Sequence, residues 1–137
     1  MARAPDQHNL ILILARSFAS HLATAVFLLD AEGTVIYYNE AAERMIGHPF
    51  VEGAGMKMED WMARRRPLDE DGNEVAVESL PLGITMLKRE PAHGIARFRN
   101  EDGAYLRFEN VTFPLFAHTE DFVGVMAMAW LVDEDRP

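Results

Sequence analysis

The amino-acid sequence predicts an α+β fold built from five strands and several short helices. Two β-type segments come first, at residues 25–29 and 34–38, and a helical and irregular region follows them. Three further β-type segments end the chain, at residues 92–99, 104–115 and 122–132. This order differs from the strand–helix alternation that produces a parallel sheet, so the elements indicate an α+β protein.

Composition limits the possible classes of protein. The chain has 137 residues, which suits one domain, and 49% apolar with 26% charged residues is typical of a globular protein. A net charge of −9 disfavours direct nucleic-acid binding. The absence of cysteine excludes disulfides, thiolate metal sites and thiol-attached chromophores. The longest apolar stretches fall well short of the ~20 residues that a membrane helix needs. We therefore expect a soluble, cytoplasmic protein with no membrane partner.

The first predicted element is an amphipathic helix over residues 6 to about 23, with Asp6 as its N-cap. Its apolar positions recur with helical spacing at Leu10, Ile11, Leu14, Phe18 and Leu22. The run 10–14 is also compatible with a buried strand, since its β-branched residues compete with this periodicity. The predicted organisation is this helix at 1–23, a domain at 24–133 and a tail at 134–137.

The next elements are a hairpin and a short helix. Asp30 can bond the turn backbone and Gly33 can take a positive φ, which predicts a tight turn between the first two strands. Asn39 is then expected to cap a helix over residues 40–46 that Gly47 ends.

Residues 47–76 are rich in glycine and proline, and they predict short helical pieces around Trp61. A further helix is expected from about Glu78 to Lys88, with Ile84 among its apolar residues, and Pro91 ends it.

Alternation in the fourth strand predicts a core face that also contains polar groups. Leu106, Phe108, Asn110 and Thr112 share that face. A buried amide or hydroxyl is costly unless it is hydrogen-bonded, so Asn110 and Thr112 need partners. Two alternatives satisfy them: a bound small molecule, or backbone groups and buried water.

The fifth strand is apolar on both faces. One face is predicted to carry Gly124, Met126, Met128 and Trp130, and the other Val123, Val125, Ala127, Ala129 and Leu131. An antiparallel sheet usually keeps one face in water, so this strand predicts a second covering layer. Either the N-terminal helix or a second copy of the protein can supply that layer.

Two stretches of sequence resemble a known family. The segment 27–47, FLLDAEGTVIYYNEAAERMIG, resembles the start of a PAS domain, in which a hairpin leads through an asparagine into a short helix closed by glycine. The pieces 80–82, 87–91 and 100–103, followed by Pro114-Leu115 and Gly124-Val125, resemble the later half of PAS domains in bacterial sensor proteins. The resemblance covers about residues 22–132.

The resemblance implies a five-stranded antiparallel sheet with short helices on one face, enclosing a small pocket. It also implies signalling through dimers, with an N-terminal helix on the outer sheet face, and no catalytic residues. The ligand-binding residues expected in the pocket are Phe108, Asn110, Thr112, Met126, Met128, Trp61 and Ile84. The dimer interface is expected at Leu10, Ile11, Leu14, Phe18, Val123, Val125 and Leu131. The Asp-x-Thr that joins such domains to an output helix is incomplete, since Asp133 is present without the threonine.

The chemistry of related photosensors and haem proteins does not carry over. A flavin adduct and a xanthopsin-type chromophore both need a cysteine. Residues 78–90 contain no histidine for haem, and His93 falls in phase with residues of a solvated face, which disfavours an axial pair with Met126 or Met128. No histidine has metal-ligand spacing, and the Arg64–Arg66 run is typical of a solvated face.

The sequence and the resemblance together favour a sensory or regulatory module. Three hypotheses for its function remain. The first is a homodimer that binds an unidentified small molecule and relays to a separate or missing effector protein. The second is a ligand-free dimerisation module. The third, an enzyme on a similar cone-shaped fold, is disfavoured because Asn110 and Thr112 do not titrate.

Overall fold

The computed structural model describes residues 3–100, 102–118 and 120–132, with side chains from residue 10 onward. The elements are α1 (Arg3–Ser20), β1 (Ala25–Asp30), β2 (Val35–Tyr38), α2 (Glu40–Ile46), α3 (Met58–Arg64), a 3₁₀ turn (Val77–Ser79), α4 (Pro81–Lys88), β3 (Ala92–Arg99), β4 (Tyr105–Phe116) and β5 (Phe122–Leu131). The predicted α+β class is confirmed. The predicted tail, 134–137, and Asp133 lie outside the described residues.

All five strands form one antiparallel sheet in the order β2-β1-β5-β4-β3. Helices α2, α3 and α4 cover one face, where the larger hydrophobic core lies. Helix α1 covers the other face, over a smaller core. The second layer that β5 requires is therefore supplied within the monomer.

Both edge strands hydrogen-bond to backbone outside the sheet. At the start of β2, the Val35 amide donates to the carbonyl of Met56 at 2.8 Å. In β3, the amide and carbonyl of Arg97 exchange two 2.9 Å hydrogen bonds with Leu68. These short segments occupy backbone groups that an edge strand otherwise presents to solvent.

The predicted hairpin residues and the predicted caps of α2 are confirmed. One Asp30 carboxylate oxygen accepts hydrogen bonds from the amides of Glu32 and Thr34, both at 3.0 Å, and Gly33 has φ +85°. Asn39 caps α2 by accepting from the Ala42 amide at 3.0 Å.

Helix α1 is longer at its start and turned differently from the prediction. It begins at Arg3, so the predicted N-cap Asp6 lies inside the helix. Its sheet-facing side carries Leu12, Ala15 and Ala19. Three residues of the expected stripe point away from the sheet, since Leu10, Leu14 and Phe18 are each more than half exposed. The other two do not: Ile11 is half-buried, and Leu22, just beyond the helix, packs on the smaller core. The helix is apolar on two sides. The side that carries the small residues Ala15 and Ala19 faces the sheet, because small side chains let the helix pack close to the strands.

The predicted faces of β5 are reversed. Val125 and Ala127 lie on the side of the larger core, whereas Met126 and Met128 pack with the α1 side. Pairing sets this phase, because Met126 stands opposite Leu28 of β1, whose side chain also belongs to the α1 side. Alternation did not distinguish two faces that are both apolar. Val123 and Val125 are buried, so the monomer does not present these two members of the expected interface at its surface; Leu131 is exposed.

The helix expected over residues 78–88 is divided. A 3₁₀ turn precedes α4, which begins with Pro81 at its first position, where a missing amide hydrogen costs nothing. The helix ends before Pro91, at Arg89, which takes a left-handed conformation with φ +59° and donates its amide to Thr85.

Candidate functional site

A small cavity of about 80 Å³ lies between the sheet and helices α2, α3 and α4. Most of its wall is apolar. The lining residues are Phe27, Met45, Ile46, Met58, Trp61, Met62, Arg65, Leu80, Pro81, Leu82, Phe98, Arg99, Asn100, Leu106, Phe108, Asn110, Thr112, Ala127, Met128 and Ala129. The sheet contributes one wall through β4 and β5, and α3 contributes the opposite side.

Five of the seven residues expected in the pocket line this cavity: Trp61, Phe108, Asn110, Thr112 and Met128. The predicted core face of β4 is therefore where the cavity lies. Met126 does not line the cavity, because its side chain is buried on the α1 side of the sheet. Met128 has the same phase on β5 and also packs on the α1 side, but it reaches the cavity lining as well. Ile84 is half-buried on α4 and does not line the cavity, although its helix does so through Pro81 and Leu82.

Of the two polar residues on β4, Thr112 is satisfied by the protein itself. Its hydroxyl lies 2.6 Å from that of Thr85 and 3.0 Å from the carbonyl oxygen of Pro81. Thr85 in turn donates to the carbonyl of Glu90 at 2.8 Å. This buried chain joins β4 to both ends of α4, so backbone satisfaction is the correct alternative at Thr112.

Asn110 has much weaker protein contacts. Within the described residues, its side chain makes one 3.5 Å hydrogen bond, in which the amide nitrogen donates to the carbonyl of Phe108. It is half-buried and lines the cavity. The amide therefore retains hydrogen-bonding capacity beside the cavity.

Trp61 is a second polar group with unused capacity. Its indole N–H is buried and has no hydrogen-bond partner among the residues that the structure describes. The ring lies 6.1 Å from that of Phe27, measured between centroids. A buried donor without a partner costs free energy, and such groups mark places where water or a ligand completes the bonding.

Arg65 lies over the ring of the same indole. Its guanidinium carbon is 4.8 Å from the Trp61 ring centroid, within cation–π range, and one nitrogen donates weakly to the carbonyl of Arg99 at 3.4 Å. The charged group is thereby held at the rim of the cavity.

Sequence reasoning missed several lining residues, among them Phe27, Met45, Met58, Met62 and Arg65. The methionines lie in α2 and α3, whose short lengths gave no clear helical stripe. Phe27 was identifiable in principle, since strand alternation places it opposite Val26. Arg65 looked like part of a solvated basic run.

The side of the sheet away from the cavity is tied to α1 by buried polar contacts. The Asn39 amide nitrogen donates to the carbonyls of Ala19 and Thr24 at 2.9 Å and of Leu22 at 3.3 Å, while its oxygen also accepts from Val26 at 3.1 Å. One side chain therefore connects the end of α1, the start of β1 and the start of α2.

A second tie crosses the surface near β2. Arg16 of α1 forms a bidentate pair with Glu52, at 3.0 and 3.1 Å, and its guanidinium lies 4.5 Å from the Tyr37 ring centroid. The hydrogen bond to Arg16 holds the pKa of Glu52 below its usual value. Near it, burial and then the charge of Glu43 raise the pKa of Tyr38, which keeps its phenol protonated.

Within the described part of the chain, no group of three or more potential ligands could hold a metal ion. His93 is more than half exposed and bonds Glu109 at 2.5 Å, and Glu109 also accepts from the indole of Trp130 at 3.2 Å. No described helix is both long and apolar enough to cross a bilayer.

Comparisons with known proteins agree with this geometry. The family model described as a PAS domain matches residues 15–81. A PAS domain from Colwellia psychrerythraea has a TM-score of 0.60 and 16% identity, covering 89% of this chain and 97% of that one. The PAS domain of Bordetella pertussis BvgS has a TM-score of 0.63 and 17% identity, covering 90% and 87%.

A light-sensing protein is also similar in fold. The LOV domain of the Erythrobacter litoralis EL346 blue-light activated histidine kinase has a TM-score of 0.61 and 17% identity, covering 83% of this chain and all of that one. None of the curated proteins compared with the chain is similar enough in sequence to count as a relative.

Proposed function

Because the chain contains a PAS domain, we propose that it is a sensory or regulatory signalling module whose signal is a small molecule held between the sheet and α2–α4. In this role the protein would act in the cytoplasm and would have no catalytic residue. An effector protein, either separate or part of a longer chain, would receive the signal.

The observation that carries this proposal is unused hydrogen-bonding capacity beside an apolar cavity. Within the described residues, the Trp61 indole N–H has no partner and the Asn110 amide has one weak contact. Apolar walls with a few convergent polar groups are typical of small-molecule sites.

A route from the cavity to α1 passes through one strand. Ala127 of β5 lines the cavity, and its neighbours Met126 and Met128 pack on the α1 side. A molecule that moves β5 therefore changes the surface on which α1 rests. Such a molecule shifts the position of α1 only if it binds one arrangement more tightly than the other.

Native mass spectrometry of the purified protein, compared with its denatured mass, tests the proposal. We expect a non-covalent additional mass that is lost on denaturation. Asn110→Leu should abolish or reduce that mass, whereas Asn73→Leu, in an exposed turn away from the cavity, should retain it. A protein that never carries added mass, and whose stability Asn110→Leu leaves unchanged, would contradict a ligand at this site.

A ligand-free dimerisation module is the second candidate, and the outward face of α1 favours it. Leu10, Ile13, Leu14 and Phe18 are 54–62% exposed, and the uncharged Ser17, which lies between them in helical spacing, is exposed as well. A second copy of α1 is the partner that this face suits, because two-fold pairing places like against like and this stripe would bury no charge.

Light scattering after size-exclusion chromatography distinguishes this candidate. Leu14→Glu with Phe18→Glu should convert a dimer into a folded monomer, because both side chains are exposed in the monomer. Leu87→Glu, at an exposed apolar residue of α4, serves as the control and should leave the dimer intact. A monomeric parent protein, or a dimer that both α1 substitutions leave unchanged, would refute pairing through α1.

A further inference from the structure

We propose that the ligand of this cavity is a small organic acid whose apolar body fills the cavity and whose carboxylate pairs with Arg65. This inference rests on the proposed function and adds the chemical class of the ligand. A larger ligand that would pair its phosphate with Arg65 belongs to a different chemical class, and a cavity of about 80 Å³ is too small to hold such a ligand.

The charged residues that line the cavity are opposite in sign to the net charge of the protein. The chain has 22 acidic and 13 basic residues. Among the residues that line the cavity, however, there are two arginines and no carboxylate. An acidic protein that surrounds one cavity with only positive charge attracts an anion to that place.

Arg65 is available to bind such an anion. No ion pair or carboxylate hydrogen bond involves its guanidinium within residues 3–100, 102–118 and 120–132. By contrast, Arg66 pairs with Glu74 at 3.2 Å and Arg107 pairs with Glu70 at 3.1 Å.

Arg65 is also held in place. Its ring contact with Trp61 and its bond to the Arg99 carbonyl restrict the side chain, while the Arg65 carbonyl accepts from the Arg99 amide at 2.8 Å. A planar guanidinium that is already positioned loses less freedom when it binds a carboxylate with two hydrogen bonds. The buried Trp61 N–H lies in the same wall and offers a neutral donor.

The cavity volume limits the apolar body. A protein cavity of about 150 Å³ binds benzene, so about 80 Å³ suits a few carbon atoms without rearrangement. Four methionines line the wall, and methionine adapts its conformation more readily than branched residues. A body between a short alkyl chain and one aromatic ring is therefore the expected range.

Fluorescence of Trp61 provides a direct assay. The chain has two tryptophans, and Trp130 lies on the other side of the sheet with 38% exposure, so Trp130→Phe leaves Trp61 as the only indole. In that background, butyrate and benzoate are titrated beside butyramide and benzamide, which have the same skeletons without the charge. Refolded protein, freed of any retained molecule, is used throughout.

We expect at least one acid to change the Trp61 emission and to bind roughly tenfold more tightly than its amide, which corresponds to one charge-assisted interaction. Arg65→Gln should remove this preference, and Arg65→Lys should keep part of it. Arg64→Gln, at an exposed arginine that does not line the cavity, should have no effect. Added salt should reduce the preference, since Arg65 is only half-buried.

Two results would overturn the inference. One is an amide that binds as tightly as its acid, or an acid preference that Arg65→Gln leaves unchanged. The other is no response to either acid. The proposed function fails separately, on the native mass measurement: a retained neutral molecule would refute the organic acid while supporting a ligand-binding module.

Discussion

Replacement of Asn39 is the most informative single perturbation, because the side chain combines two separable roles. Its amide oxygen accepts from Ala42 and Val26, which caps α2 and holds the start of β1. Its amide nitrogen donates to backbone carbonyls at the end of α1 and just before β1. Asn39 is 1% exposed, so water cannot replace these bonds.

The magnitude follows from these contacts. Loss of an N-cap costs about 1 kcal/mol, and each buried backbone group left without a partner costs about 1–3 kcal/mol. The carbonyl of Ala19 also accepts from Leu22, so it loses least. Asn39→Ala should therefore reduce the free energy of unfolding by about 3–5 kcal/mol, a large part of the 5–15 kcal/mol typical of a domain.

Asn39→Asp separates the two roles. Aspartate is as good an N-cap as asparagine, so a residue that only capped α2 would tolerate the change. Here the new oxygen would face carbonyl oxygens, and we expect a loss at least as large as that of Asn39→Ala. The same change at Asn73, in an exposed turn, should cost less than about 0.5 kcal/mol.

Urea unfolding followed by circular dichroism gives these free energies, provided that the slope with urea concentration stays constant among the variants. An Asn39→Asp protein whose free energy of unfolding lies within about 1 kcal/mol of the parent's would refute the reasoning, because the hydrogen bonds of the amide nitrogen would then contribute little to stability.

Three further predictions concern other contacts. In Arg16→Gln, amide hydrogen exchange in α1 should accelerate relative to the parent at the same pH. In the parent, the protection factors of the α1 amides, which are corrected for the intrinsic pH dependence of exchange, should fall as the pH falls through the lowered pKa of Glu52, because the stabilising carboxylate is lost there. Protection factors that stay constant over that pH range would contradict this. Gly124→Ala should destabilise by about 3 kcal/mol in thermal unfolding, since its Cβ would lie 2.2 Å from the Leu29 carbonyl oxygen, and a small loss would indicate that β1 moves freely. Thr112→Val should lower the free energy of unfolding, measured with urea, by about 1–2 kcal/mol, because the buried Thr85 hydroxyl and Pro81 carbonyl lose their hydrogen-bond partner. An unchanged free energy would contradict these hydrogen bonds.

The fold was predictable where a residue has one dominant local preference. Asp30, Gly33, Asn39 and Gly47 each fix a turn or a cap through their own chemistry, and the structure has them in those roles. The faces of β4 were predictable because, in the first half of the strand, the apolar Leu106 and Phe108 alternate with the charged Arg107 and Glu109. On β5 both faces are apolar, so only pairing with β1 decides that Met126 faces α1.

The candidate site was predictable in outline and not in its charge. Asn110 and Thr112 mark the strand that lines the cavity, and their patterning is visible in the sequence. The pairing of Thr112 with Thr85 depends on how α4 packs, which no local pattern contains. The contact between Arg65 and Trp61 spans one helical turn, but only the fold shows that it borders a cavity.

The backbone contacts at the sheet edges limit how copies of this protein can assemble. Met56 bonds to the start of β2, while Leu68 and Arg65 bond to the second half of β3, at Arg97 and Arg99. These contacts shorten the row of amides and carbonyls that each edge can offer to another chain. Strand addition, the usual first step toward fibrils, would therefore have only part of β2 and part of β3 on which to start.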